Sequence, residues 1–99
     1  MTIRHVVSWK LATSDESECA EQRAAVKAGL ESLPATIPEI LALEVGVDAL
    51  SADNFDVVLI SDFADEAALQ RYVEHPDHQR VAAYIRSVVG ARSAVDFRV

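Results

Sequence analysis

Ile3-Arg4-His5-Val6-Val7-Ser8-Trp9-Lys10-Leu11 is the stretch that decides the fold. Ile3, His5, Val7, Trp9 and Leu11 project to one side, and Arg4, Val6, Ser8 and Lys10 to the other. That period of two belongs to an extended strand. The first side is apolar apart from one imidazole, His5, so the strand has a strongly buried face.

Downstream, Thr13-Ser14-Asp15-Glu16 supplies helix-start chemistry. Thr13 is the expected cap, with Glu16 reaching back, and the early acids suit the positive helix end. Cys19, Val26, Leu30 and Leu33 recur at helical spacing, and Gly29 is a weak spot. Pro34 stops the helix because it disfavours helical geometry at Leu33. Ile37-Pro38-Glu39 turns the chain into a second strand over residues 40–47, with Leu41, Leu43, Val45 and Val47 on one face. A polar loop over 48–54 leads to a third strand over 55–63. Phe55, Val57, Leu59 and Phe63 share one of its faces, while Val58 and Ile60 make the other apolar too; a strand of this kind is covered on both sides. Asp65 caps a short helix that turns Leu69, Tyr72 and Val73 inward. Pro76 opens a second one, being well tolerated at the first helical position. The inward stripe of this helix is His78, Val81, Ala82, Ile85, Val88 and Val89, and Gly90 is its expected C-terminal cap. Ser93, Val95, Phe97 and Val99 alternate in a last strand.

The order strand, helix, strand, strand, helix pair, strand is an α+β, ferredoxin-like split βαβ pattern. It predicts one domain spanning residues 1–99, with a four-stranded antiparallel sheet carrying its helices on one face. The other face bears Val6, Val58 and Ile60 unshielded. A second copy of the same face covers them and closes a dimeric α/β barrel.

Composition narrows the partners. Hydrophobic residues make up 51% of the chain, more than one small core of 99 residues uses, which again favours a homodimer. The formal net charge of -7 disfavours nucleic acid and anionic membranes. No apolar run approaches the ~20 residues of a membrane span, and residues 1–11 lack a signal pattern. Cys19 is the sole cysteine, so no internal disulfide forms. These features lead to the expectation of a cytoplasmic protein. No phosphate-cradling loop or nucleotide fingerprint is present, and no cofactor is expected. His75, Asp77 and His78 are too close together in a first turn to converge on a metal.

His78 is the leading candidate for chemistry. It shares a face with Val81, Ala82 and Ile85 and lies in the first turn of its helix, and both settings disfavour the imidazolium. A neutral imidazole is what a general base requires. Tyr72, one turn earlier, is placed to polarise a substrate oxygen, and His5 faces the same layer. The ordinary alternative is a buried histidine that ties two helices together beside a core tyrosine. His75, just before Pro76, reads as a cap or a loop contact. Cys19 reads as a small core or surface thiol, and Asp15, Glu16, Glu18 and Glu21 as a solvated helix face. A pocket walled by Val7, Trp9, Leu59, Val81 and Ile85 would suit a small apolar molecule.

Several stretches resemble one family. The opening strand with its His5 and closing Lys10 is similar to the first strand of the stress-responsive dimeric α/β-barrel (Dabb) family. So are Ile37-Pro38-Glu39-Ile40 with Leu43-Glu44-Val45-Gly46, Ser61-Asp62-Phe63, Ala68-Leu69 with Tyr72, His75-Pro76-Asp77-His78, and Val95-Asp96-Phe97. The resemblance covers nearly the whole chain in order. It implies a ferredoxin-like dimer with a central barrel, and for many members no assigned activity. One plant member is a polyketide cyclase that closes a ring by aldol chemistry without a cofactor, using a Tyr and a His that match Tyr72 and His78. This chain departs from it at Val57, where that enzyme has a histidine, and Trp9 is bulkier than the aliphatic residue expected there. Two functions follow. One is a stress-responsive dimer of unassigned activity that binds a small apolar molecule between helices and sheet. The alternative is a cofactor-independent lyase or cyclase with His78 as base and Tyr72 orienting the substrate; kinship with small ferredoxin-like monooxygenases rests on fold analogy alone.

Overall fold

The structure, a computed structural model, describes residues 1–51 and 53–99; Ala52, within the loop expected at 48–54, lies outside the described residues. The elements run β1 (Ile3–Leu11), α1 (Glu16–Glu31), a 3-10 turn (Leu33–Ala35), β2 (Ala42–Val47), β3 (Val57–Phe63), α2 (Glu66–Glu74), α3 (Pro76–Val88) and β4 (Val89–Arg98). The sheet order is β2-β3-β1-β4, with every neighbouring pair antiparallel. This is the ferredoxin-like arrangement. No helix among the described residues is long and apolar enough to cross a membrane.

The period of two in β1 becomes strict alternation of buried and half-buried residues, and β3 repeats it. On the helix side, Val7, Trp9, Val57, Leu59 and Phe63 meet Val26 and Leu30 of α1, Tyr72 of α2 and Val81 and Ile85 of α3 in one core. Gly29 accounts for how closely α1 and α3 pack, since a Cβ there would stand 3.3 Å from a Val81 methyl.

The opposite face follows from the register. Val6 pairs with Ile60 on one side and Val95 on the other, Ser8 with Val58 and Ser93, and Arg4 with Asp62 and Phe97. Directly opposed residues share a face, so Val6, Val58, Ile60, Val95 and Phe97 form one apolar surface with no helix over it. Val95 remains 62% exposed and Phe97 43%. The sequence pointed to the first three of these residues, and β4 adds the last two.

Four local expectations are corrected. Asp15, not Thr13, caps α1: its carboxylate accepts from the Glu18 amide at 2.8 Å, while the Thr13 hydroxyl accepts from the Asp15 amide. A carboxylate at the positive helix end is the better cap. The second strand starts at Ala42 and its apolar face is incomplete, with Leu41 and Val47 exposed because β2 is an edge strand. The third strand starts at Val57, since Phe55 is exposed and Asp56 turns its side chain into an anchor. Gly90 is not a helix cap. Val89 is already extended, β4 begins there, and Gly90 lies where a Cβ would approach Ala12 Cα to 3.2 Å. The long β1 offers partners as far as Leu11, and pairing with Val89 draws the chain directly from α3 into the strand.

Asp56 ties the far end of β1 to α1. Its carboxylate accepts from the Leu11 amide at 2.7 Å, from Arg23 at 2.6 Å and from the Cys19 thiol at 3.6 Å. Burial pushes this carboxyl up, but the Leu11 amide and the Arg23 guanidinium outweigh it and hold the group below the usual aspartate range. Burial also raises the Cys19 thiol, with Asp56 acting in the same direction, which is the setting of an unreactive thiol. Removing the carboxylate strands Arg23 and the Leu11 amide, so Asp56→Ala should cost about 3 kcal/mol near neutral pH. A depressed folded-state pKa gives stability that is fully present above the unfolded value of about 3.9 and fades as pH falls through the lower folded value. The stability gap between wild type and Asp56→Ala, measured by urea unfolding, should therefore narrow in that acid range; a gap constant across it would contradict this role.

Candidate functional site

The α2–α3 junction sets the site. Asp65 caps α2 by accepting from the Ala68 amide at 2.8 Å, which phases Tyr72 onto the sheet side. The His75 ring accepts from the Asp77 amide at 3.1 Å and caps α3, with Pro76 at its first position. His75 is thereby committed to the turn. The following residues carry His78 back under Tyr72, with ring centroids 4.4 Å apart.

His78 Nδ1 lies 3.0 Å from the Val73 carbonyl oxygen. A carbonyl only accepts, so Nδ1 carries the proton and Nε2 keeps its lone pair. Burial lowers the His78 pKa, partly opposed by the Val73 hydrogen bond; the charges of His5, Arg86 and Arg92 push in the same direction as burial. The ring is neutral near neutral pH.

Tyr72 is fully buried, its ring 4.8 Å from that of Phe63 and 6.3 Å from that of His5. Its hydroxyl has no hydrogen-bond partner among the described residues. Burial pushes the phenol up to about 12, so it stays protonated and acts as a donor. His5 Nδ1 is hydrogen-bonded to Asp96, its register partner on β4. That contact fixes the ring's orientation.

These groups border a cavity of about 260 Å³ between helices and sheet. Its floor comes from Val7, Trp9 and Leu59 of the sheet. Val81, Ala82 and Ile85 of α3 form the opposite wall, and Leu30 and Val89 also line it. His5 and His78 supply polar surface within, the fully buried Tyr72 lies in the wall beside them, and Arg86 and Arg92, both exposed, also line the cavity. All eight residues singled out in the sequence thus border one space. Val57, where the plant cyclase has a histidine, is buried in the core and does not line it. No group of three or more His, Cys, Asp or Glu among the described residues is placed to hold a metal.

Sequence reasoning left Leu30, Ala82, Arg86, Val89 and Arg92 out of the site, although it had Ala82 and Val89 on the inward stripe of α3. Arg86 was within reach, since it follows His78 and Ala82 at intervals of eight and four on α3. Arg92 was not, because its position depends on β4 starting at Val89 and on the register that sets it opposite Trp9.

Residues 3–99 match the family model described as the stress responsive A/B barrel domain, Dabb. The chain belongs to the Dabb family. No curated protein matches its sequence. A dimeric ferredoxin-like protein of unknown function from Thermobifida fusca is 33% identical, with a TM-score of 0.83 over 100% of this chain and 92% of that one. A dimeric protein of unknown function with a ferredoxin-like fold from Bacteroides fragilis is 25% identical, with a TM-score of 0.92 over 99% and 96%. A hydroxynitrile lyase from Passiflora edulis shares the fold at 18% identity, with a TM-score of 0.72 over 97% and 91%. The Thermobifida fusca and Bacteroides fragilis proteins, similar to this one over nearly the full chain, are thus dimeric by name.

The orphaned Tyr72 hydroxyl yields a test. A buried polar group without a partner is destabilising, so deleting it while keeping the ring removes that burden. Tyr72→Phe should leave the thermal midpoint of the ligand-free protein unchanged or slightly raised. A loss of about 1–3 kcal/mol would instead mark a hydroxyl engaged in holding the fold.

Proposed function

We propose that this Dabb protein works as a homodimer that takes a small, largely apolar molecule into the cavity between helices and sheet and carries out cofactor-independent proton transfer there, of the lyase or cyclase kind. One observation carries this reading: a fully buried tyrosine hydroxyl with no partner among the described residues, beside a neutral histidine, at the wall of a cavity. The Tyr72 hydroxyl would donate to a substrate oxygen. Nε2 of His78 would take a proton from the substrate, leaving the bonding pair on it, and negative charge would build on the oxygen that Tyr72 holds. The electron pair then makes or releases a carbon–carbon bond, and the proton held on His78 passes to the alkoxide of the closed ring or to the carbanion of the departing fragment, restoring the neutral imidazole. The Passiflora edulis protein, a hydroxynitrile lyase by name, gives an instance of lyase chemistry on this fold. The cavity lies just below the ~300 Å³ lower end of ordinary ligand pockets, so the ligand is small.

Proton abstraction next to a carbonyl is measurable without knowing the natural substrate. Exchange of the α-protons of 4-phenyl-2-butanone in deuterated water, followed by proton NMR, should be accelerated by the wild type. His78→Ala should slow it on the order of 10²–10⁴-fold while leaving the fold intact. No acceleration by the wild type over a panel of aryl ketones would remove the enzymatic half of the proposal and leave a binding protein.

The homodimer rests on the apolar surface of Val6, Val58, Ile60, Val95 and Phe97 and on the dimeric state of the similar Thermobifida fusca and Bacteroides fragilis proteins. Light scattering at micromolar concentration should give twice the 10.8 kDa chain mass. Val6→Asp combined with Ile60→Asp should lower it towards one chain. A monomeric wild type would overturn the assignment.

A further inference from the structure

We infer that the molecule taken into this cavity is a small organic acid, whose carboxylate is held at the mouth by Arg86 and Arg92 while its apolar body and an oxygen function extend inward to Tyr72 and His78. The inference rests on the proposed use of the cavity and adds the chemical class of its ligand.

The first argument is a charge count. The chain has 16 acidic residues and 9 lysines and arginines, so a free carboxylate lies within reach of most of its cations. Arg4 holds Asp62, Arg23 holds Asp56, Arg71 holds Glu39, Arg80 holds Asp77 and Arg98 holds Glu66. Arg86 and Arg92 have no ion-pair or hydrogen-bond partner among the described residues. Both line the one cavity that contains Tyr72 and His78, and no residue lining that cavity is acidic.

The second argument is placement. Arg86 lies in the last turn of α3, where a cation suits the helix dipole and needs no further reason. Arg92 has no such reason. It is on β4, directly opposite Trp9, on the face turned towards the helices. Two elements with no common local cause therefore bring exposed arginines to the lining of the same cavity. Planar guanidinium groups favour carboxylates, which they bind through paired N–H donors. Behind them the wall is apolar up to the unpartnered Tyr72 hydroxyl, a polar group that a second ligand oxygen would satisfy. The cavity thus presents a cationic mouth, an apolar middle and a donor–acceptor end, matching a carboxylate separated by a short apolar body from a carbonyl or hydroxyl.

The test uses an isosteric pair, 3-phenylpropionate and 3-phenylpropionamide, titrated into the full-length wild type and followed by nitrogen–proton correlation spectra, with the His78 and Tyr72 signals reporting on occupancy. The acid should bind roughly tenfold or more tighter than the amide. In the Arg86→Met, Arg92→Met variant, whose replaced side chains are exposed, that preference should fall to about twofold or less, mainly through weaker binding of the acid. Equal binding of acid and amide to the wild type, with shifts at His78 and Tyr72, would overturn the organic-acid assignment and leave the cavity reading standing. A preference that survives loss of both arginines would overturn it as well. Failure of both probes to shift either signal would overturn the two readings together.

Discussion

Strand β1 has to bury two faces at once, and the molecule is arranged around that requirement. It is paired on both edges, with β3 and with β4, so its backbone groups are satisfied within the sheet. Its odd-numbered side chains need the helices, and its even-numbered side chains, Val6 above all, need something beyond the monomer. The helix layer answers the first demand. The second is left unmet within one chain, and the similar Thermobifida fusca and Bacteroides fragilis proteins are dimeric. The same strand supplies His5, Val7 and Trp9 to the cavity, so the site and the open apolar face are two sides of one structural element.

The cavity exists because the helices do not fill the layer that they cover. α2 and α3 are separated by a sharp junction at His75-Pro76, where one residue ends one helix and caps the next. The bend aims Tyr72 and His78 at a common point. It also commits the Val73 carbonyl to His78 Nδ1, which fixes the tautomer. The junction therefore sets geometry, protonation and orientation together. Nearby, the site has low polarity within and positive charge at its edge, and each disfavours a second positive charge on His78. The two imidazoles differ in kind: His78 is held by a neutral carbonyl, His5 by a carboxylate.

At the other end of β1, Asp56 shows how a small domain limits fraying. A single buried carboxylate gathers a strand amide, a helix guanidinium and a thiol, joining the start of β3, the end of β1 and the first half of α1. Because this anchor stands at the opposite end of β1 from His5, it holds the sheet without entering the site. Gly29 and Gly90 serve the same economy of space: each lets two backbones or helices come closer than a Cβ permits.

The sequence by itself determined the element order, the two-faced character of β1 and β3, and the side of α3 that turns inward. All three are set by periods of two and 3.6 that act within a few residues. It also determined the capping positions Asp65, His75 and Pro76, because caps are local chemistry. It did not determine where β4 begins. Gly90 looks like a helix cap when only its neighbours are considered, and its real constraint is Ala12, 78 positions away. Tertiary structure alone decided that Val95 and Phe97 join Val6 on the open face, that Asp96 meets His5, and that Arg92 turns towards the cavity. Each follows from the β1–β4 register, and a register is fixed by the ladder as a whole, since a slip of one residue would turn every one of these side chains to the opposite face.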